Sequence, residues 1–289
     1  STTVTSLASL GTGLPPGQHG LVGYTSRVPA TGEILNALTW ESDPSPTAYQ
    51  SKSTFFERAA ETGIAVTSVA LARFRGTGLT VAALRGASFV PFSEDSAEDL
   101  RIALIAEAAL RGDRSVVYAY ERELDHCGHV YGCNSGTWLD QLARIDAMCE
   151  RLRAALPPQV TMIITADHGM IDIPPDQRIV AEDDPALMAG VSALAGEGRF
   201  RQLYVDHEPP QLVAERWRAR LGELAWVRTR DEAIEEGWFA ATDDGLRDRW
   251  GHVLIALRGD WAIMTRAFPR EFTLIGMHGS LTPAEMLVP

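Results

Sequence analysis

Three short apolar runs in this chain each stop at a cluster of carboxylates and imidazoles, and this repetition narrows the possible folds more than any other feature. Ser115–Tyr120 leads into Glu123-Leu124-Asp125-His126-Cys127-Gly128-His129, Val160–Thr165 into Ala166-Asp167-His168-Gly169-Met170, and Phe272–Ile275 into Gly276-Met277-His278-Gly279-Ser280. Such runs read as strands, and Ile64–Val69, Gln202–Val205 and His252–Leu257 are further ones. Longer amphipathic stretches lie between them. After Asn134, residues Trp138, Leu142, Ile145, Cys149, Leu152 and Leu156 step by four and three, which puts one apolar stripe on a helix that Pro157-Pro158 ends. Ser93–Arg111 reads as a second helix. Strands alternating with helices predict an α/β fold, a mostly parallel sheet with helices on both faces. In open sheets of this kind ligands bind beyond the carboxyl ends of the strands. Clusters far apart in sequence can therefore converge.

Carboxylate with imidazole suits zinc best among common cations, with manganese or iron also possible, whereas magnesium and calcium prefer oxygen alone. A single Asp-His pair after a strand is more often a turn with a capping carboxylate. Three clusters in one strand context point to a metal centre instead. Glycines after His168 and His278, and before His129, are expected to let the backbone turn sharply at the ligands. At the start of the chain, Thr2-Thr3-Val4-Thr5 opens a short helix that Gly11 and Gly13 end. A hydroxyl there faces unpaired N–H groups and the positive end of the helix dipole, a site for a phosphoryl oxyanion. The plain reading of such a Thr is an N-cap.

Composition narrows the partners. The net charge of −12 argues against a nucleic-acid backbone or an anionic membrane as a stable partner, and leaves a small phosphate ester open because bound cations reverse the local field. Three cysteines without a CxxC pair suit a reducing, cytoplasmic setting. The 289 residues read as one domain, 1–289, with the more acidic stretch 174–248 as a cap or insertion within it. Its start at Ser1 without Met, on a segment that normally lies inside a domain, and its stop at Pro289 lead us to expect truncation at both ends.

Taken together these motifs resemble a known family. Thr12-Gly13-Leu14-Pro15-Pro16-Gly17-Gln18-His19-Gly20 is similar to the segment after the nucleophile helix of nucleotide pyrophosphatase/phosphodiesterases, in the alkaline phosphatase superfamily. Asp125 with Gly128-His129 resembles the family's Asp-x-x-Gly-His, Thr165–Met170 its Thr-x-Asp-His-Gly-Met, and Met277-His278-Gly279 its last His-Gly ligand. The resemblance implies a three-layer alkaline-phosphatase-like fold and a phosphoric-ester hydrolase with Thr3 as nucleophile. It also implies two divalent ions, one on Asp125, His129 and His278, the other on Asp167, His168, the Thr3 oxygen and an Asp that has no counterpart here. Diesters or pyrophosphates are the expected substrates, monoesters second. A phosphotransferase or mutase of the superfamily, or a non-catalytic metal- or phosphate-binding module, is the alternative. Val4-Thr5-Ser6 departs from the family's Phe-Pro-Asn, and no Cys-x-Pro-x-Arg sulfatase signature occurs.

Overall fold

The computed structural model describes residues 2–41 and 44–289. Ser1, where the single domain was expected to start, lies outside them. Helix α1 (Thr3–Thr12) begins after an extended Thr2 and ends at Gly13, whose φ of 71° lets its N–H reach Ser9 O. Gly11 lets α1 approach another helix closely: a Cβ there would lie 1.7 Å from Ala83 O.

Behind α1 stands a parallel sheet. Its central strand is β1 (Ala65–Leu71), and the neighbouring helix α2 (Gly78–Leu84) leads to β2 (Ser88–Phe92). Helix α3 (Glu98–Ala109) then leads to β3 (Ser115–Ala119). The order is β2–β1–β3, with Thr67 opposite Ser88 and Ala65 opposite Ser115. Val4 and Leu7 of α1 pack with Leu79, Phe56 and Val66 on one face. After β3 come α4 (Glu123–Tyr131) and α5 (Gly136–Ala155), the latter capped by the Ser135 hydroxyl. On the other face Val69 meets Ile102 and Ile105 of α3 and Met148 and Leu152 of α5. Helix, sheet and helix make three layers, as the sequence predicts.

The remainder is built mainly on hairpins. Strand β4 (Ile171–Asp172) and β5 (Arg178–Val180) precede the pair β6 (Val191–Glu197) and β7 (Phe200–Val205). Helix α6 (Pro210–Leu221), β8 (Ala225–Thr229), β9 (Val253–Leu257), β10 (Ala262–Met264), β11 (Gly276–Met277) and α7 (Pro283–Met286) follow. A four-stranded antiparallel sheet has the order β8–β9–β7–β6, so residues 174–248 share it with β9 beyond them. Trp217 of α6 sits at the centre of its core, fully buried, and donates its indole N–H to Leu187 O at 2.9 Å. β10 runs parallel to β5, and β11 antiparallel to β4.

Two expected strands differ. Among the described residues Val160–Thr165 joins no ladder, and Ile163 and Ile164 are 84% and 57% exposed. A strand exists only through a hydrogen-bonded neighbour, so apolar, β-branched character is insufficient there. Phe272–Ile275 is displaced by a 3₁₀ turn over Pro269–Thr273, and pairing starts at Gly276. Pro269 lacks an N–H and fixes its φ, which favours the turn. The α5 stripe is also only partly used: Met148, Leu152 and Leu156 are buried, whereas Leu142 is 41% exposed. No helix among the described residues is long and apolar enough to cross a membrane.

Candidate active site

Asp125 reaches its position through the turn after β3. Arg101 donates to the Glu121 carboxylate and to Tyr120 O, and Glu121 in turn accepts the N–H of Glu123 at 2.7 Å. These contacts start α4 at once, and Asp125 and His129, four residues apart, share one face of it. Asp125 Oδ1 stands 3.4 Å from His129 Nε2 and 3.7 Å from His278 Nε2. One ligand atom from each of these three residues lies within 4.8 Å of the others. Helix α4 is tied to the segment that leads through β11 to His278: Ile275 N donates to His129 O at 2.7 Å, and His129 Nδ1 donates to Gly276 O at 2.8 Å. A carbonyl only accepts, so Nδ1 carries the proton and Nε2 keeps its lone pair.

His168 follows the same rule. Its Nδ1 donates to Gly169 O at 2.9 Å, and its Nε2 accepts the Thr3 hydroxyl at 3.1 Å. That nitrogen is also 3.7 Å from Asp167 Oδ2 and 3.9 Å from Asp125 Oδ1. The His168 and His278 rings stack at 3.6 Å and 20°. Thr3, Asp125, Asp167, His168, His129 and His278 are thus brought to one place. Thr3 is the first helical residue and Thr2 the N-cap, with no side-chain cap, so the Thr3 hydroxyl serves His168 and not the helix end.

The donor set suits a divalent cation. Asp125 Oδ1 and Asp167 Oδ2 are buried and, among the described atoms, accept no hydrogen bond, an expensive state for a carboxylate. Both face imidazole nitrogens that also present lone pairs. With metal–ligand bonds of roughly 2.0–2.2 Å, two ligands of one tetrahedral zinc stand about 3.3 Å apart. The spacings of 3.1, 3.4 and 3.7 Å at Thr3–His168, Asp125–His129 and Asp125–His278 bracket that value.

The glycines work differently from the sequence expectation. Gly128 lies inside α4, not at a sharp turn. A Cβ there would come 2.4 Å from Met170 Sδ, and one on Gly276 2.6 Å from the same sulfur. Met170 is therefore wedged where α4 meets β11. Gly169 makes room for Ala284 O. Of the three glycines expected to turn the backbone, only Gly279 has a positive φ, 127°, and a Cβ on it would approach Glu197 Cγ to 2.7 Å. Glu197, at the end of β6, was not foreseen. Its Oε2 lies 3.6 Å from His278 Nδ1, and burial pushes its carboxyl up to about 8. One Glu at a hairpin carries no sequence signal that would mark it. His126, one residue after Asp125 on the helix, is exposed.

Beside Thr3 and Asp125 opens a cavity of about 420 Å³, walled by Leu7, Leu38, Phe74, Leu79, Phe89, Tyr118 and Tyr120, with Arg73 and Arg122 also lining it. Burial raises both tyrosines above the usual phenol range, so they stay neutral.

The model of the type I phosphodiesterase/nucleotide pyrophosphatase family matches residues 1–281. The chain belongs to this family. As a type I phosphodiesterase it is a hydrolase, in a family that is typically metal-dependent and acts on small nucleotide or phosphate-ester substrates. Solved structures share its fold. Murine ectonucleotide pyrophosphatase/phosphodiesterase 5 superposes with a TM-score of 0.76 at 19% identity, over 99% of this chain and 75% of that one. An inactive threonine-to-alanine variant of the murine protein, in complex with AMP, gives 0.76 at 18% over the same shares. The human protein gives 0.73 at 18%, again over 99% and 75%. No curated protein sequence matches this phosphodiesterase.

Proposed function

We propose that this phosphodiesterase cleaves diesters or pyrophosphates of nucleotide type through a phospho-threonine intermediate on Thr3, assisted by two divalent cations, zinc first. The observation that carries the reading is the Thr3 hydroxyl on His168 Nε2 at 3.1 Å, beside the Asp125/His129/His278 cluster and at the mouth of an aromatic cavity. The murine neighbour that is inactive without a threonine and holds AMP supports it.

Asp125, His129 and His278 would hold one cation; Asp167, His168 and the Thr3 oxygen the other. Bound there, such ions supply positive charge to the attacking and leaving oxygens of an in-line displacement. The chain's own residues do the rest. Thr3 heads α1, whose first N–H groups have no acceptor within the helix and favour a phosphoryl oxyanion. The contact with His168 Nε2 holds Thr3 Oγ1 beside that nitrogen's single lone pair; a cation taking that lone pair would lie against Oγ1 and favour loss of its proton. An Oγ–P bond forms as the bond to the leaving oxygen breaks, and the leaving group departs protonated. Water then cleaves the Oγ–P bond, which restores the Thr3 hydroxyl and releases the phosphomonoester. Leu38, Phe74 and Phe89 suit a flat organic group on the ester.

His278→Ala tests the reading. It should lower zinc content by about one ion per chain and nearly abolish diester turnover, since three protein ligands are usual for a catalytic zinc. Unchanged stoichiometry by elemental analysis would remove His278 from the site.

A further inference from the structure

The antiparallel sheet reaches into the site through one buried ion pair. Arg199, in the turn before β7, and Glu285 in α7 are both fully buried. The guanidinium grips both carboxylate oxygens, Nε to Oε1 at 3.1 Å and Nη2 to Oε2 at 2.7 Å. Two more of its N–H groups go to Trp261 O and Leu257 O, which anchors it to the sheet and to the turn after β9. The carboxylate takes two more bonds, from Ser280 N at 3.0 Å and the Thr282 hydroxyl at 2.6 Å. Glu285 also gives its carbonyl to Gly169 N at 3.1 Å, and Gly169 is bare enough for α7 to lie on it. Ser280 stands two residues after His278, and Gly169 one residue after His168.

We infer that Glu285, held by Arg199, is a positioning residue that sets the separation of His168 and His278. One residue binds the segment of each histidine, one through its side chain and the other through its main chain, and the two rings stack at 3.6 Å between them. These two imidazoles belong to different halves of the cation set, so their spacing fixes the distance between the halves. A buried pair of this kind contributes little net stability over an apolar pair of the same volume. Its use here is geometrical.

The inference rests on the cation reading above, and a neighbouring pair separates the two. Arg201 is fully buried and Glu271 nearly so, yet the hydrogen bonds of the Glu271 carboxylate go to Arg201 alone among the described atoms. Glu285→Gln and Glu271→Gln should lower the melting temperature alike. Only Glu285→Gln should weaken zinc binding, by about 10-fold or more, the usual effect of losing an outer support of a metal ligand. It should also lower kcat about as much, with KM within about 2-fold, and alter the visible spectrum of the cobalt-loaded protein. Should Glu285→Gln not fold, Arg199→Met/Glu285→Leu removes the braces without stranding a charge and should show the same loss. Equal zinc affinity, spectrum and kcat in whichever variant folds, or equal losses in Glu271→Gln, would overturn the inference. A wild-type chain that binds neither zinc nor cobalt would instead overturn the cation reading.

Discussion

Along β3, the edge strand that leads to Asp125, the side chains are half-buried or exposed, whereas β7 and β9, in the middle of their sheet, are buried at every residue, as the central β1 is after Ala65. The two sheets differ in kind. The parallel sheet is short, partly open, and has the cavity and α1 at its carboxyl end. The antiparallel sheet packs around Trp217 and two buried arginine–glutamate pairs, and it meets the site from behind, among other places at Glu197 and at the Arg199–Glu285 pair. The difference teaches that chemistry and rigidity are supplied by different halves of this molecule. A substrate must enter beside the parallel strands, so those cannot be closed over; the second sheet has no such constraint.

If that division holds, damage on the two sides should separate. Thr3→Ala should lower kcat by about 10⁴-fold or more while the melting temperature moves by no more than about 2 °C, as scanning calorimetry would show. Near wild-type turnover in this variant, with loss in Thr2→Ala or Thr5→Ala, would shift the nucleophile to another residue. Trp217→Ala should do the reverse and cost about 3–5 kcal/mol of stability by denaturant unfolding. Its folded fraction should turn over normally well below the melting point. A Trp217→Ala enzyme that stays stable but is inactive would break the comparison.

His19 lies at the seam of the two halves and sharpens it further. Its Nδ1 accepts Leu21 N and its Nε2 donates to the Ser9 hydroxyl of α1 at 3.0 Å. Burial lowers its pKa from 6.5 to about 4, with the Arg249 guanidinium adding to the effect. The folded state therefore resists a proton that the unfolded chain takes up below pH 6.5. Its contribution is complete above pH 6.5 and is lost as pH falls towards 4, amounting to about 3 kcal/mol. His19→Gln should flatten the stability profile across that window relative to wild type. Parallel profiles would mean that His19 is already charged in the fold. The smallest effect concerns the cavity: Phe89→Ala should raise KM for an aromatic diester about 5-fold, roughly 1 kcal/mol, with kcat unchanged. A methyl diester should not register the change.

Much of the open half is legible in the sequence. Ile64–Val69 and Ser115–Tyr120 became strands, and the chemistry after the second of them stood in plain sequence. The helix after Asn134 was legible from its stripe, although Leu142 ended up largely in solvent. The sealed half was harder. Gln202–Val205 and His252–Leu257 read as strands, but alternation alone does not give their antiparallel order. Glu197 and Glu285 look like surface residues because a carboxylate is normally exposed. Only the arginine or histidine that folding brings opposite makes burial tolerable. The helix under Asp125 and His129 was missed for a related reason. Gly128 looked like a turn, since a glycine needed for close approach and one needed for a bend are the same letter.

Met170 offers a last consequence. Its sulfur lies against both Gly128 and Gly276, and a methyl group on Gly276 would also press on Gly128 O at 2.5 Å, so the thioether could make room at Gly128 by withdrawing but not at Gly276. A smaller residue at 170 would slacken the joint that binds the His129 helix to the segment leading to His278. A change at Gly276 is thus barred by main chain as well as by sulfur, whereas one at Gly128 asks only that the Met170 side chain move. Three dispersed letters of this sequence thus limit one another's freedom to change, the last of the three most tightly.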